Sequence, residues 1–445
     1  MSEAGATGIV PSRAQSEVAG SARVVGILAG GGSIPREVAE GVIARGGQVH
    51  IVAIAGEADE AQLSRFPLTR VGWGQIGAMV QTLKDAHCDV LVIVGSVRRP
   101  DLAKLRPDLG FFLSLPAIVR IITAGGDDGV LTRVVRFFEG KGLRVVGPGT
   151  VAPELLVGEG PIGCVGAGPE IAADVALGFE LVRALGPYDV GQGVVVTQGR
   201  VEAIEGAEGT DGMLERVGRR RDGTTATQAS GVLVKRPKPG QELRIDLPAI
   251  GPGTVARSHA AGLAGVAVQA GCAIVAERSE LVRIADADGL FVQGFHDMAE
   301  PAFPGTPQMW HVQHLGKRAP TSQAGADAAK GVALLADIHA LAPSRGAIVN
   351  RGHVLAVESG EGVAELVRRA AGLRQWGRWH RARAAGTLVL SQPEALAEAV
   401  KDAGAAGLAG VALVGHPPAG VLGVVAEADR LGLFVATVSP SGGKR

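Results

Sequence analysis

The residue best placed for chemistry is Asp246, the lone acid in Ile245-Asp246-Leu247-Pro248-Ala249-Ile250-Gly251-Pro252-Gly253-Thr254. Pro248 and Pro252 fix φ and donate no N–H, while Gly251 and Gly253 allow close backbone approach. The alternation in Glu242-Leu243-Arg244-Ile245 predicts a short strand, and Thr254 is placed to cap a helix starting at Val255. A carboxylate between a strand end and a helix N-terminus is positioned to meet an anionic ligand. Asp211, Lys235 and Lys238 fall in the same part of the chain. Phosphoryl chemistry needs this mixture: cations or a metal offset phosphate charge, and a carboxylate orients or deprotonates water. Taken one at a time, a loop acid and two lysines read more plainly as solvated surface groups.

A second set of candidates is glycine-rich. Gly30-Gly31-Gly32-Ser33 follows the apolar run Val24–Ala29, Gly95-Ser96-Val97-Arg98-Arg99-Pro100 follows Val90–Val94, and Gly147-Pro148-Gly149 follows Leu143–Val146. Gly72-Trp73-Gly74-Gln75-Ile76-Gly77 opens another helix. Backbone N–H groups at such helix starts can cradle a phosphate, which argues for a nucleotide or phosphosugar. A dinucleotide fingerprint would need glycine at position 35, where the chain has Pro35. With only Glu57 near the end of the second strand as a ribose-binding acid, a nicotinamide-dependent oxidoreductase is disfavoured. Asp127 and Asp128 after Gly125-Gly126 read as helix N-capping acids.

The elements that must position these residues follow from the pattern of apolar runs. Strands alternating with helices over 23–165 predict a Rossmann-like, doubly wound parallel sheet, which binds ligands at the carboxyl ends of its strands. Pro169–Leu185 reads as one amphipathic helix, so 166–188 is expected to connect two lobes. The second lobe, 189–296, is α/β: a hairpin around Gln198-Gly199, a helix beginning near Asp211, and strands at Gly231–Lys235, Gly265–Val268 and Leu290–Val292. At 445 residues, about two to four domains are expected. Hydrophobic residues at 46% and charged residues at 20% describe a folded chain, and aromatics at 3% imply cores of Val, Leu, Ile and Ala. The net charge of +0 provides no field for nucleic acid. Three scattered cysteines, Cys88, Cys164 and Cys272, fit a reducing compartment and have no metal-site spacing. No stretch is long enough to span a bilayer and residues 1–22 lack a signal-peptide core, so a flexible tail and a cytoplasmic protein are expected.

The motifs taken together resemble the LpxI family, the UDP-2,3-diacylglucosamine pyrophosphatases of lipid A synthesis. The resemblance is carried by Ala29–Pro35, Gly95–Pro100 with Leu105-Arg106-Pro107-Asp108, Gly125–Asp128, Ile204–Asp211, Lys238-Pro239-Gly240-Gln241 and Asp246–Val255, in the family's order from about Arg23 to Phe295. It implies a two-lobed hydrolase that cleaves UDP-2,3-diacylglucosamine to UMP and 2,3-diacylglucosamine 1-phosphate (lipid X) with a divalent metal such as Mg2+. The family's essential aspartate carries over to Asp246, with a role in orienting metal and water; Asp211 matches the Thr-Asp pair and is assigned to substrate or metal. Substrate contacts are assigned to Gly30, Gly31, Gly32, Gln75, Gly95, Arg98, Thr210, Asp211, Lys235 and Lys238. The family often has Asn-Gly where this chain has Gly31-Gly32, which leaves only backbone contacts to infer there. The expected partners are the nucleotide sugar and, weakly and peripherally, the inner-membrane surface, with a homodimer as the assembly considered. The alternative from another class is a binding or regulatory protein that holds the same ligand uncleaved; such a protein has no need of Asp246.

The chain then runs on. Residues 297–330, with Pro301, Pro304, Pro307 and Pro320, have linker composition, and His311 and His314 read as a solvated pair. Beyond them the sequence repeats. Gly346–Glu358 echoes Gly193–Glu205, Gly360-Glu361-Gly362 echoes Ala207-Glu208-Gly209, Ala406–Ala412 echoes Ala261–Ala267, and Gly432–Val435 echoes Gly289–Val292. Residues 331–440 are therefore expected to be a degenerate copy of the catalytic lobe. Ala364 replaces Asp211 and the Asp-Leu-Pro loop has no counterpart, so the copy keeps scaffold and loses chemistry. On this reading, deletion after Phe295 leaves turnover largely intact. The basic stretch Arg368–Arg383, with Trp376 and Trp379, could sit on anionic lipid; a solvated helix face with inward tryptophans is the favoured reading, because Gly372 and Gly377 weaken a membrane-lying helix.

Overall fold

The structure is a computed structural model and describes residues 24–98, 107–116, 118, 127–221, 229–297, 309–373 and 384–440. The tail 1–22, Arg99-Pro100, Leu105-Arg106, Gly125-Gly126 and the segment 374–383 with both tryptophans lie outside the described residues. The chain divides into two compact units.

The first unit holds residues up to Val157 together with two later returns of the chain, Glu242–Ala249 and Ile274–Arg278. Its sheet contains β1 (Val24–Ala29), β2 (Gln48–Ile54), β3 (Leu68–Val71) and β4 (Val90–Val94) in the order β3-β2-β1-β4. Every pairing is parallel. This is the expected doubly wound pattern. The helices α1 (Ile34–Ala44), α2 (Ile76–Asp85), the short α3 (Leu109–Leu113) and α4 (Asp127–Glu139) surround it. Strands buried on both faces need continuous apolar runs, and Ile27, Ile51 and Leu91 are fully buried. The strand expected at Leu143–Val146 is reduced to one parallel bridge, Leu91 to Val145.

The second unit contains two six-stranded sheets of the same design. The first has β5 (Gly160–Pro161), β6 (Gly193–Thr197), β7 (Arg200–Ile204), β8 (Val232–Lys235), β10 (Gly265–Gln269) and β12 (Phe291–Phe295), ordered β5-β12-β10-β8-β6-β7. The second has β13 (Trp310–His314), β14 (Gly346–Asn350), β15 (His353–Val357), β16 (Thr387–Leu390), β17 (Gly410–Val414) and β18 (Phe434–Pro440), ordered β13-β18-β17-β16-β14-β15. The short strands β9 (Ala249–Ile250) and β11 (Ile274–Val275) pair outside these sheets. The first copy carries α5 (Ile171–Leu185), α6 (Gly209–Arg221), α7 (Pro252–Ala260) and α8 (Arg278–Ala287). The second carries α9 (Ser322–Ile338), α10 (Val363–Leu373), α11 (Leu396–Ala405) and α12 (Val421–Leu431).

The duplication reaches the hydrogen bonds. Gln198 and Gly199 turn the first hairpin with φ of 50° and 73°, and Arg351 and Gly352 turn the second with 52° and 82°. Positive φ at both turn residues matches the twist of the flanking strands. In the first copy the buried Asp174 accepts from the N–H groups of Gln198 (2.9 Å) and Gly199 (2.6 Å); in the second Asp327 accepts from Arg351 and Gly352, both 2.7 Å. A bulge follows Val195 in one hairpin and Ile348 in the other.

Two expectations need correction. Residues 166–188 do not form a free connector: α5 packs into the second unit, with Leu181 and Leu185 buried in a cluster that also contains Val332, Leu335 and Ile338 of α9. The expected linker 297–330 contains β13 and the start of α9, so the second copy begins before residue 331. The second copy packs on the first, since the two share that single apolar cluster. The linker reading failed because proline and alanine content reports little about strands that are completed by distant pairing, here β13 with β18.

Candidate active site

Asp246 belongs to the first unit, not to the lobe 189–296 in which the sequence reading put it. The chain returns to that unit over Glu242–Ala249, and neighbouring apolar side chains anchor the return. Ile245 packs against the cluster of Val52, Ile54 and Leu91, while Leu247 and Ala249 pack against that of Val25, Ile27 and Val94. Asp246 is held between these anchors. The segment before it is a turn, not the expected strand: the N–H groups of Ile245 (3.1 Å) and Asp246 (2.9 Å) both donate to the Glu242 carbonyl. Arg244 clamps the turn with two 2.7 Å contacts to Glu242 and a 2.8 Å contact to Glu139. Burial alone would push the Glu242 carboxyl up, but the Arg244 contacts are the larger effect and hold it below its usual range. The helix after the loop starts at Pro252 with Gly251 as N-cap. Thr254 lies inside it and its hydroxyl faces the Gly251 N–H at 3.4 Å, so it does not precede the helix as expected.

The glycine loops of the first unit meet at the point where the sheet order reverses between β2-β1 and β4, where open α/β sheets place ligands. Gly30 donates to the Val94 carbonyl at 2.8 Å; Gly31 and Ser96 exchange hydrogen bonds of 2.7 and 2.9 Å. The N–H groups of Gly30 and Gly31 are thereby committed to the fold, which corrects the expectation of a three-residue phosphate cradle. Gly32 (φ 91°) turns the chain into α1. Gly95 also has positive φ, 96°, and a Cβ there would come within 2.7 Å of Gly30 backbone. Arg98, with its side chain 82% exposed, reaches Glu57 (3.5 Å) and the Gly56 carbonyl (3.0 Å). Glu57 is thus an arginine partner and not a free ribose acid.

Gln75 is engaged locally: its Oε1 accepts from the Gly72 N–H at 2.6 Å. The N-terminus of α2, a candidate phosphate site by sequence, already holds a carboxylate. Asp108 accepts from Gly77 (3.2 Å), Ala78 (2.9 Å) and Phe111 (2.7 Å). Burial pushes its carboxyl up, yet these donors together outweigh that and hold it below its usual range.

In the second unit, Lys235 at the carboxyl end of β8 is buried and donates to the Thr210 hydroxyl at 2.9 Å. Thr210 in turn donates to Glu205 at 3.2 Å. Lys238 is buried and pairs closely with Asp189. The plainer reading of both lysines as solvated charges is overturned, because a buried ammonium persists only with partners. Asp211, in the first turn of α6, is exposed and pairs with Arg257 at 3.3 Å. Thr210 and Lys235 are therefore brought together, while Lys238 and Asp211 each have other partners. Sequence reasoning missed Glu205, Asp189 and Arg257, which hold these residues, and Asp108, the N-cap of α3, as the acid at the N-terminus of α2. It also missed a buried triad beside β8, in which Asp297 bridges Arg183 (3.2 Å) and Arg236. Only the run Lys235-Arg236-Pro237-Lys238, charged beside an apolar strand, signalled that these cations are buried.

The second copy has the frame without these groups. Val363 and Ala364 follow Gly362 where Thr210 and Asp211 follow Gly209, and β16 ends on Leu390 where β8 ends on Lys235. The return carrying Asp246 has no equivalent, because α11 fills the interval between β16 and β17. Comparison with known proteins agrees with this layout. The LpxI N-terminal domain matches residues 24–155, and the LpxI C-terminal domain matches 158–293 and again 312–435. The chain belongs to the LpxI family. One LpxI relative is the UDP-2,3-diacylglucosamine pyrophosphatase LpxI of Caulobacter vibrioides, 38% identical over 281 residues, which are 63% of this chain and 100% of the relative. The family's C-terminal domain is thus present twice here, and its first copy bears the LpxI motifs. No helix among the described residues is long and apolar enough to cross a membrane.

Proposed function

We propose that this LpxI-family chain hydrolyses the pyrophosphate bond of UDP-2,3-diacylglucosamine, releasing UMP and 2,3-diacylglucosamine 1-phosphate. The observation that carries the reading is the match to the Caulobacter pyrophosphatase over that protein's whole length. Support comes from Asp246, whose loop is anchored on both sides by buried apolar packing. In the reaction, water oxygen bonds to one phosphorus, the bridging P–O bond breaks, and the bridging oxygen leaves on the other phosphate. Asp246 accepts the water proton, and preorganisation of its loop means no reorganisation is needed at that step. Lys235, oriented by Thr210, and Lys238 supply positive charge to the phosphate oxygens. Gly32, the Gly95–Arg98 loop and Gln75 are assigned to holding the nucleotide sugar.

Mg2+ is part of the proposal. Among the described residues no group of three His, Cys, Asp or Glu side chains could hold a metal. Mg2+ retains waters and is commonly bound through one or two carboxylates plus substrate phosphates, so a single aspartate suits it. Asp246 would hold the ion. When bound, the ion polarises phosphoryl oxygens and offsets their charge. A weak peripheral contact with the inner membrane follows from a diacylated substrate.

The test is UMP release from UDP-2,3-diacylglucosamine with Mg2+, comparing wild type with Asp246→Asn. The expected result is release by wild type and a loss of at least roughly a hundredfold in kcat in the variant at unchanged melting temperature. A wild type that binds the nucleotide sugar and releases nothing would make the protein a binder.

A further inference from the structure

The two copies meet through charges as well as apolar side chains. Glu208 and Arg216 in the first copy have counterparts in Glu361 and Arg369, at the same places relative to α6 and α10. Arg216 lies 3.1 Å from Glu208 and Arg369 2.6 Å from Glu361 within the copies; Arg369 lies 2.7 Å from Glu208 and Arg216 3.9 Å from Glu361 between them. The four side chains are 10%, 4%, 1% and 9% exposed in the order Glu208, Arg216, Glu361, Arg369. The Ala207 N–H donates to the Leu355 carbonyl of β15 at 3.0 Å, and Arg220 reaches the Ser359 carbonyl at 3.3 Å. The loop between β7 and α6 is therefore pinned by the second copy at Ala207, at Glu208 and, one turn and more along α6, at Arg216 and Arg220.

That loop leads directly into Thr210 and Asp211. Two peptide units separate Glu208, whose carboxylate is gripped by Arg369, from Thr210, whose hydroxyl receives Lys235. Polar groups have been lost from the second copy at the positions of Thr210, Asp211 and Lys235, but retained at those of Glu208 and Arg216. A copy that has lost these three groups has kept the pair that crosses to the other copy.

We infer that Glu361 and Arg369 are positioning residues for the site in the first copy: the second copy acts as a built-in partner that sets the β7–α6 loop and thereby Thr210 and Lys235. The inference rests on the reading of Thr210 and Lys235 as substrate contacts, and its test is arranged to separate the two. Glu361→Gln removes the most buried carboxylate of the four. Arg369→Lys keeps charge and loses the fork that spans Glu208 and Glu361, and serves where the first variant is too unstable. Asp327→Asn is the control, since it removes an equally buried acid of the second copy that holds the β14–β15 turn. Two readouts are taken in the full-length chain below all unfolding transitions: amide hydrogen exchange of peptides covering 205–211, and kcat and KM for UMP release.

Exchange over 205–211 is expected to rise at least tenfold in Glu361→Gln and Arg369→Lys and to stay within twofold of wild type in Asp327→Asn. The first two variants should lose at least tenfold in kcat/KM, with Glu361→Asp recovering part of it, and Asp327→Asn should remain within twofold. Unchanged exchange in folded Glu361→Gln and Arg369→Lys overturns the inference. Equal losses in Asp327→Asn also overturn it, because the effect is then general destabilisation. If wild type releases no UMP, the proposed activity fails and exchange alone decides whether the second copy sets the loop.

Discussion

Alanine at Gly30 should damage the first unit more than alanine at Gly32, although Gly32 has the less ordinary backbone. A Cβ at Gly30 would lie 2.5 Å from the Ser96 carbonyl oxygen and 2.9 Å from Gly95 carbonyl atoms. These are backbone atoms, so no rotamer change relieves the overlap. The same Ser96 carbonyl accepts from Gly31 at 2.7 Å, so moving it strains the bridge that ties the ends of β1 and β4. Overpacking costs about 1–3 kcal/mol, and each bridge hydrogen bond lost costs roughly 1 kcal/mol more, for a total of about 2–5 kcal/mol. At Gly32 a Cβ meets nothing within 4 Å, and only φ of 91° opposes it. That costs about 1–2 kcal/mol. For a unit of this size the Gly30→Ala transition should fall by roughly 4–20 °C and that of Gly32→Ala by about 2–8 °C. The assay is calorimetry of both variants with UMP-release kinetics alongside. Gly30→Ala should also lose roughly tenfold or more in kcat/KM, since displacing the loops by a fraction of an ångström misplaces whatever they hold. A Gly30→Ala protein as stable as wild type, or less affected than Gly32→Ala, would refute the packing argument.

Truncation after Phe295, harmless if the second copy were an appendage, should now give an insoluble or aggregating product, because it strips the apolar cluster shared by α5 and α9; a monomeric, cooperatively melting truncation in size-exclusion chromatography would contradict this. Gly178→Ala and Gly331→Ala should destabilise by similar amounts, about 1–3 kcal/mol each in chemical denaturation, since a Cβ at Gly178 would lie 2.7 Å from Val234 and one at Gly331 2.5 Å from Val389. That overlap outweighs the roughly 1 kcal/mol alanine gains in helix propensity. Burial pushes the Glu361 carboxyl up, but Arg369 and Arg216 outweigh it, so its folded value lies below the unfolded one. Its contribution is therefore complete above the ordinary glutamate range and is lost as pH falls through the folded value. The stability difference between wild type and Glu361→Gln, followed by urea titration, should be constant at neutral pH and shrink below about pH 4.

Much was legible in the chain before folding. Continuous apolar runs fixed the strands of the first unit because a parallel sheet covered on both faces demands them. The echo of Gly193–Glu205 in Gly346–Glu358 announced the second copy, because one hairpin and one turn geometry impose the same residues twice. The loss of Asp211 and of the Asp-Leu-Pro loop from that copy was visible for the same reason. What local sequence could not determine was partnership at a distance. Asp246 sits among residues of the second unit in sequence and packs with the first in space, because the partly buried Ile245 and Leu247 pack against the buried cores around β1, β2 and β4, far earlier in the chain. The glycine N–H groups looked free for a ligand until β1 and β4 were neighbours and Gly31 met Ser96. The lysines looked solvated until folding supplied Thr210 and Asp189. Periodicity reports which side of an element is buried, since that is a property of consecutive residues. Which group neutralises a buried charge or satisfies a backbone donor depends on chain crossings, and only the tertiary structure decides it.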